Sequence, residues 1–140
     1  MKGIAVAVAA ALTIGLAAAV AAQPQPKPEP GGEVILGGKL LWIFRASAGG
    51  KSPGERADAC VRRSVEILSD PSVSEKDIKI VVPKKGAEPQ IQVGKYLFVT
   101  VTMADAKANK IDPMGLAKVW AKNLSAALKI ARVHRPEEKH

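Results

Sequence analysis

The sequence predicts an α+β fold, a two-layer sandwich of two amphipathic helices packed on a mostly antiparallel sheet of four to five strands. Three observations carry this expectation. Short apolar runs at 34–36, 40–45, 78–82, 91–93 and 96–103 alternate at strand period, and glycine, proline or polar turns separate them. Two longer segments, opening at Ser52-Pro53 and Asp112-Pro113, instead repeat apolar residues every three or four positions. The resulting order of hairpin, helix, strand, hairpin and helix gives each helix an apolar sheet face to cover.

The folded region is expected to begin near residue 33. Met1-Lys2 precedes a run from Ile4 to Ala22 that is apolar or small apart from Thr13. Ala19-Val20-Ala21 and Val20-Ala21-Ala22 both fit a small-x-small cleavage site, so 1–22 reads as a secretory signal peptide. Left uncleaved, the run would be an N-terminal anchor near the lower length limit for spanning. No cysteine lies near the cleavage region, which argues against a lipid-anchored form. Residues 23–32, QPQPKPEPGG, form a proline-rich linker that favours extended backbone and buries nothing. One α+β domain is expected over 33–135, with a disordered tail at 136–140.

Formal charge is +8 over 140 residues, and removing Lys2 with the leader leaves +7. A basic chain can seek nucleic acid. Export argues against that partner and towards extracytoplasmic polyanions or anionic lipid heads. The single cysteine, Cys60, excludes an internal disulfide framework, and its place on an apolar helix face marks it as a buried small hydrophobe.

The first hairpin is expected as Val34-Ile35-Leu36, a Gly37-Gly38 turn, and Lys39 to Arg45. Val34 and Leu36 would share one face, and Leu40, Trp42 and Phe44 another. The first helix has a marked start. Ser52 is the N-cap, Pro53 takes the first helical position, and Glu55 completes a capping box. Ala57, Cys60, Val61, Ser64 and Leu68 are expected on its buried stripe, with Arg56, Arg62, Arg63 and Glu66 outward or on the flank. Asp58–Arg62 and Arg62–Glu66 have the spacing of helical ion pairs, and Asp70-Pro71 stops the helix.

A strand follows at Ile78 to Val82 and ends at Pro83. Ile91 and Val93 enter a hairpin whose Gly94-Lys95 turn has glycine first. Its return strand, Tyr96 to Met103, would be the longest. Leu97, Val99, Val101 and Met103 would lie on one face, with Phe98, Thr100 and Thr102 on the other. Ala104 to Lys110 is expected as a loop or helical turn. In the last helix, Leu116, Ala117, Trp120, Leu124, Ala127, Leu128 and Ala131 trace the apolar face. Lys118, Lys122 and Lys129 trace the solvent face, and His134 and Arg135 are cations suited to the helix end.

The stretch Ala48-Gly49-Gly50-Lys51-Ser52, between an apolar strand and a helix, imitates a phosphate-binding loop. The loop needs G-x-x-x-x-G-K-[ST]. Here the first glycine position holds Arg45, Pro53 removes an amide donor, and neither later strand carries a carboxylate for magnesium. Ser52 is better explained as a helix cap. Other chemistry is as sparse. The histidines are His134 and His140, remote from Cys60, and no G-x-S-x-G elbow occurs. No cofactor, nucleotide or metal site is expected, and no acid, base and nucleophile converge, so the chain is expected not to be an enzyme. Asp105, after the long strand, is the most site-like carboxylate; its plainer role is to cap the next turn.

Three stretches together suggest a family: Gly54-Glu55-Arg56-Ala57 opening a helix, Val93-Gly94 before a strand, and VTVTMADAKA at 99–108 before a lysine-rich helix. With the LLWIF strand, they resemble the extracytoplasmic soluble domain that precedes the channel in some bacterial small-conductance-type mechanosensitive channel proteins. The likeness spans about Val34 to Arg135. Lys95 departs from it, standing where an acidic residue often follows the glycine. The resemblance implies a context rather than a reaction: a stand-alone periplasmic or secreted relative without the channel. It also places Arg56 and Asp105 in recurring motifs. A right-handed crossover would bring them, with Glu55, to one rim of the sheet as a structural or ligand-binding constellation. The function expected is an exported, non-catalytic binding, sensor-like or accessory module of the cell envelope, partnered by a membrane protein. The alternative is a basic binder of envelope polyanions or anionic lipid surfaces.

Overall fold

The computed structural model describes residues 31–133. The expected leader, the linker up to residue 30, His134, Arg135 and the expected tail at 136–140 lie outside the described residues. Within them the fold is α+β: three helices pack against two antiparallel sheets of two and three strands. In chain order these are β1 (Gly32–Leu36), β2 (Lys39–Phe44), α1 (Pro53–Ser69), β3 (Ile78–Val81), β4 (Gln90–Val93), β5 (Tyr96–Thr100), α2 (Met103–Asn109) and α3 (Pro113–Val133). A 3-10 turn at Glu75–Asp77 leads into β3.

The five strands divide because α1 takes the free edge of β5. Arg63 Nη1 donates to the Phe98 carbonyl at 2.8 Å, and the Cys60 thiol approaches the same oxygen at 3.9 Å. Arg56 Nη2 donates weakly to the Thr100 carbonyl at 3.4 Å. Carbonyls that would otherwise pair with another strand are thus used by helix side chains, which closes the edge. The hairpin β1–β2 stands as its own ribbon, and β3–β4–β5 forms a meander.

Two bulges correct the expected faces. Val34 pairs with Trp42 and Ile35 with Leu40, so Leu41 is the extra residue in β2. Leu41 and Trp42 are consequently both buried, whereas Leu40 is exposed beside Ile35. A one-residue insertion switches which residues face inward on one side of it. In β5, Ile91 pairs with Val99 and Gln92 with Leu97, which leaves Phe98 unpaired. Phe98 and Val99 both enter the core, and Leu97 is exposed rather than sharing a face with Val99.

The long strand also ends earlier than expected. Thr102 is the N-cap of α2, its hydroxyl accepts from the Asp105 amide, and the Asp105 carboxylate accepts from the Thr102 amide. This capping box at Thr102-x-x-Asp105 outcompetes continued strand. Met103 is therefore an exposed helical residue, and Asp105 sits in the first turn of α2 rather than at a strand end.

Helix α1 begins as its sequence dictates, with the Ser52–Glu55 capping box complete and proline at its start. Its buried stripe is rotated from the expected one. Gly54, Arg56, Ala57, Ala59, Cys60, Ser64 and Ile67 are buried, while Val61 and Val65 are exposed. Arg56 thus faces inward, against expectation, because Asp105 supplies a buried counter-charge. Arg63 is half-buried. The two salt bridges among the described residues are Arg56–Asp105 and Lys95–Asp70, so neither expected helical pair on α1 closes.

The core lies beneath α3. Leu116, Ala117, Trp120, Leu124, Ala127 and Leu128 are buried, following the predicted stripe. Trp120 stacks on Trp42 at 4.7 Å between centroids with the planes 10° apart. Phe44 meets Trp120 edge-on at 5.6 Å, and Phe98 meets Trp42 edge-on at 5.9 Å. These aromatic contacts join both sheets to α3 and fix where β2 ends, which is where the candidate site begins.

Candidate functional site

The site is built around the first turn of α1, the end of β5 and the start of α2. Arg56 Nη1 and Nη2 each donate to one Asp105 oxygen at 2.7 Å, a bidentate pair. Both side chains are deeply buried, at 8% and 1% exposure. Nη1 also donates to the Ala46 carbonyl at 2.8 Å, and the guanidinium lies 4.1 Å from the Phe44 ring centroid. Ionic pairing, hydrogen bonding and a cation–π contact together compensate the arginine for its lost water.

The structure therefore brings together two of the three residues singled out from sequence, Arg56 and Asp105. Glu55 is not with them. Its exposed carboxylate accepts from the Ser52 amide at 3.2 Å, and its own amide donates to Ser52 Oγ. Those hydrogen bonds to Ser52 hold the Glu55 carboxyl below its ordinary range.

Beside the pair lies an open cleft of about 360 Å³. Phe44, Ala59, Cys60 and Val99 supply apolar lining, and Thr100 and Thr102 line it too, the Thr102 hydroxyl accepting from the Asp105 amide. The charged residues along it are Lys51, Arg56, Arg63 and Glu88. Glu88 Oε2 accepts from the Met103 amide at 2.6 Å, tying the β3–β4 loop to the start of α2. Burial pushes the Cys60 thiol up to about 12, so it stays protonated and is a poor nucleophile.

The stretch resembling a phosphate loop forms one lip of this cleft. Ala48 and Lys51 exchange both backbone hydrogen bonds, at 3.1 and 3.0 Å, across Gly49 and Gly50. The two glycines have φ of +58° and +74°, the backbone of a tight two-residue turn. Such a turn closes on itself instead of wrapping a phosphate. Among the described residues no group of three His, Cys, Asp or Glu side chains is placed to hold a metal ion.

Lys51, Arg63 and Glu88 were not legible as site residues in the sequence. One signal was present for Arg63: Arg56, Ala59, Cys60 and Arg63 fall at helical spacing and share one face of α1. Two arginines bracketing small residues mark a face that carries charge over a shallow floor.

Comparison with protein-family models matches residues 33–131 to a family described as "Domain of unknown function (DUF8459)". No curated protein and no solved structure matches the chain.

Proposed function

The chain belongs to the DUF8459 family, and we propose that it is a non-catalytic binding module of the bacterial cell envelope that takes its ligand in the cleft beside Arg56 and Asp105. One observation carries this reading: the cleft is preformed, and its reactive groups are already committed to structure. Asp105 is held by Arg56 and the Thr102 amide, Glu88 by the Met103 amide, and the Cys60 thiol is kept protonated by burial. What remains available is recognition: apolar lining and cations around a concave surface. The leader-like N-terminus supports an extracytoplasmic location. The likeness to a channel-associated domain supports an accessory role beside a membrane protein.

Amide chemical-shift mapping tests the reading. The ¹⁵N-labelled chain is titrated with low-molecular-weight fractions of envelope extract. Shifts clustered at Phe44, Gly49, Lys51 and Thr100 are expected. Extract fractions that move no amide, or move only residues remote from the cleft, overturn it.

A second reading is supported by α3. Lys118, Lys122 and Lys129 are exposed and lie within about 40° of one another on a helix of 3.6 residues per turn. No Asp or Glu occurs between Pro113 and Val133. A cationic stripe on a helix that carries no acidic residue of its own suits an envelope polyanion or an anionic lipid surface. Retention on anionic vesicles that falls with salt and is lost in Lys122→Glu would favour this reading. Retention unchanged by that substitution would remove it.

A further inference from the structure

We propose that the cleft is a receptor for a small amphipathic monocarboxylate, its head held by Lys51 and Arg63 and its apolar body laid against Ala59, Val99 and Phe44. The proposal rests on the reading of the cleft as the binding site and specifies what it takes.

The charge balance selects the head group. Arg56 lines the cleft, but its charge is met by Asp105 at 2.7 Å. Its terminal nitrogens are all engaged, with Ala46, Thr100 and both Asp105 oxygens as acceptors. It is a wall rather than a free clamp. Among the residues that line the cleft, Lys51 and Arg63 then stand against Glu88, which leaves one net positive charge there, while Glu55 meets Lys51 from outside the lining. A monoanion neutralises that charge, a dianion carries a larger desolvation cost into a cleft with one net positive charge to meet it, and a cation is repelled.

The donors select among monoanions. Of the five N–H donors on a guanidinium, Arg63 uses one, to the Phe98 carbonyl. That bond fixes the side chain to the edge of β5 and leaves the planar fork with donors to spare, a geometry suited to a carboxylate. Lys51 sits on the exposed turn within Coulombic reach of the solvent-exposed Glu55 carboxylate, and neither salt bridge among the described residues uses it.

Size and lining select the body. A volume of about 360 Å³ is at the small end of ligand pockets, which span roughly 300–1,000 Å³. Ala59, the protonated Cys60 and Val99 make an apolar floor that offers no charged partner, so a short hydrocarbon segment fits it. Thr100 and Thr102 lie along the same cleft.

The test is an amide-shift titration of the full chain with hexanoate, acetate, hexylammonium and hexyl phosphate at pH 8. Hexanoate is expected to saturate, with shifts at Phe44, Gly49 and Thr100. Burial of its extra methylenes should make it bind at least about tenfold more tightly than acetate. Hexylammonium should not saturate, and the dianionic hexyl phosphate should bind more weakly than hexanoate. Lys51→Gln should weaken hexanoate by roughly tenfold with an unchanged melting temperature, and Lys51→Arg should restore it. Arg63→Lys, which keeps the charge and loses the fork, should weaken it too. Equal binding of acetate and hexanoate, saturable hexylammonium, tighter hexyl phosphate, or indifference to Lys51→Gln would each overturn the assignment. If no hexanoate binds while envelope extract still moves the cleft amides, the monocarboxylate falls and the binding module stands. If extract moves only α3, the cleft itself falls.

Discussion

Arg56 on the first helix grips both carboxylate oxygens of Asp105 on the second, with Nη1–Oδ1 and Nη2–Oδ2 each 2.7 Å. The two residues are 49 positions apart and almost wholly out of water. Removing one partner strands the other charge in the interior, at a typical cost of about 3–5 kcal/mol. Arg56→Gln and Asp105→Asn are each expected to destabilise on that scale. Their double variant should be less destabilised than the sum, because the second change removes a charge already unpaired. Urea melts of the four proteins read the coupling. Additive effects would mean the pair contributes no mutual energy and acts only through each partner's other bonds.

How that pair could be anticipated, and the cleft could not, follows from the range of the interactions. The capping box at Ser52 and the stripe on α3 are local patterns, visible because helix geometry links residues three and four apart. Arg56 and Asp105 were marked by recurring motifs rather than by any pattern that joins them. The bulges at Leu41 and Phe98 left no local trace. Each arises because two adjacent apolar residues both gain by entering a core shared with α3, which is a tertiary decision. The division into two sheets has the same origin, since it depends on Arg63 and Arg56 reaching carbonyls of a strand far along the chain. Lys51 and Glu88 enter the cleft only after those choices are made.

Ser52 offers a clean separation of two roles. Its hydroxyl accepts from the Glu55 amide at 3.2 Å, and Gly49-Gly50 before it form a closed turn. Ser52→Ala is expected to cost roughly 1 kcal/mol, the usual loss for an N-cap. ATP should leave the melting temperature of both proteins unchanged. A clear rise with ATP in the parent protein, lost in the variant, would restore the phosphate-loop reading.

Trp120 is 3% exposed and stacked on Trp42, with Phe44 against it edge-on. Trp120→Ala is expected to cost about 3–5 kcal/mol, the range for large aromatic truncations in a core. That is a large share of the roughly 5–15 kcal/mol typical of a folded chain. Trp120→Phe should cost less, since a ring still fills part of the stack. Chemical denaturation measures both. An alanine variant of unchanged stability would show that the ring pair adds nothing to the core.

Asp70, which ends α1, gives the chain a pH dependence of definite sign. Its Oδ1 accepts from the Ser72 hydroxyl at 2.6 Å and the Ser72 amide at 2.9 Å, and its Oδ2 accepts from the Tyr96 hydroxyl at 2.8 Å. Lys95 Nζ lies 3.8 Å away. These partners, the Ser72 hydroxyl foremost, hold the carboxyl down at about 2. An aspartate in the unfolded chain titrates at about 3.9. The depressed group therefore binds fewer protons when folded than when unfolded. Its stabilisation is complete above the unfolded value and is lost as pH falls through the folded one. Asp70→Asn should be less stable than the parent at neutral pH, and the gap should close between pH 4 and pH 2 as the parent's carboxylate protonates. Tyr96→Phe, which removes one of the partners, should shrink the gap without abolishing it. Thermal melts across that window decide the matter: a gap that stays constant down to pH 2 would mean that Asp70 holds the helix end by shape rather than by charge.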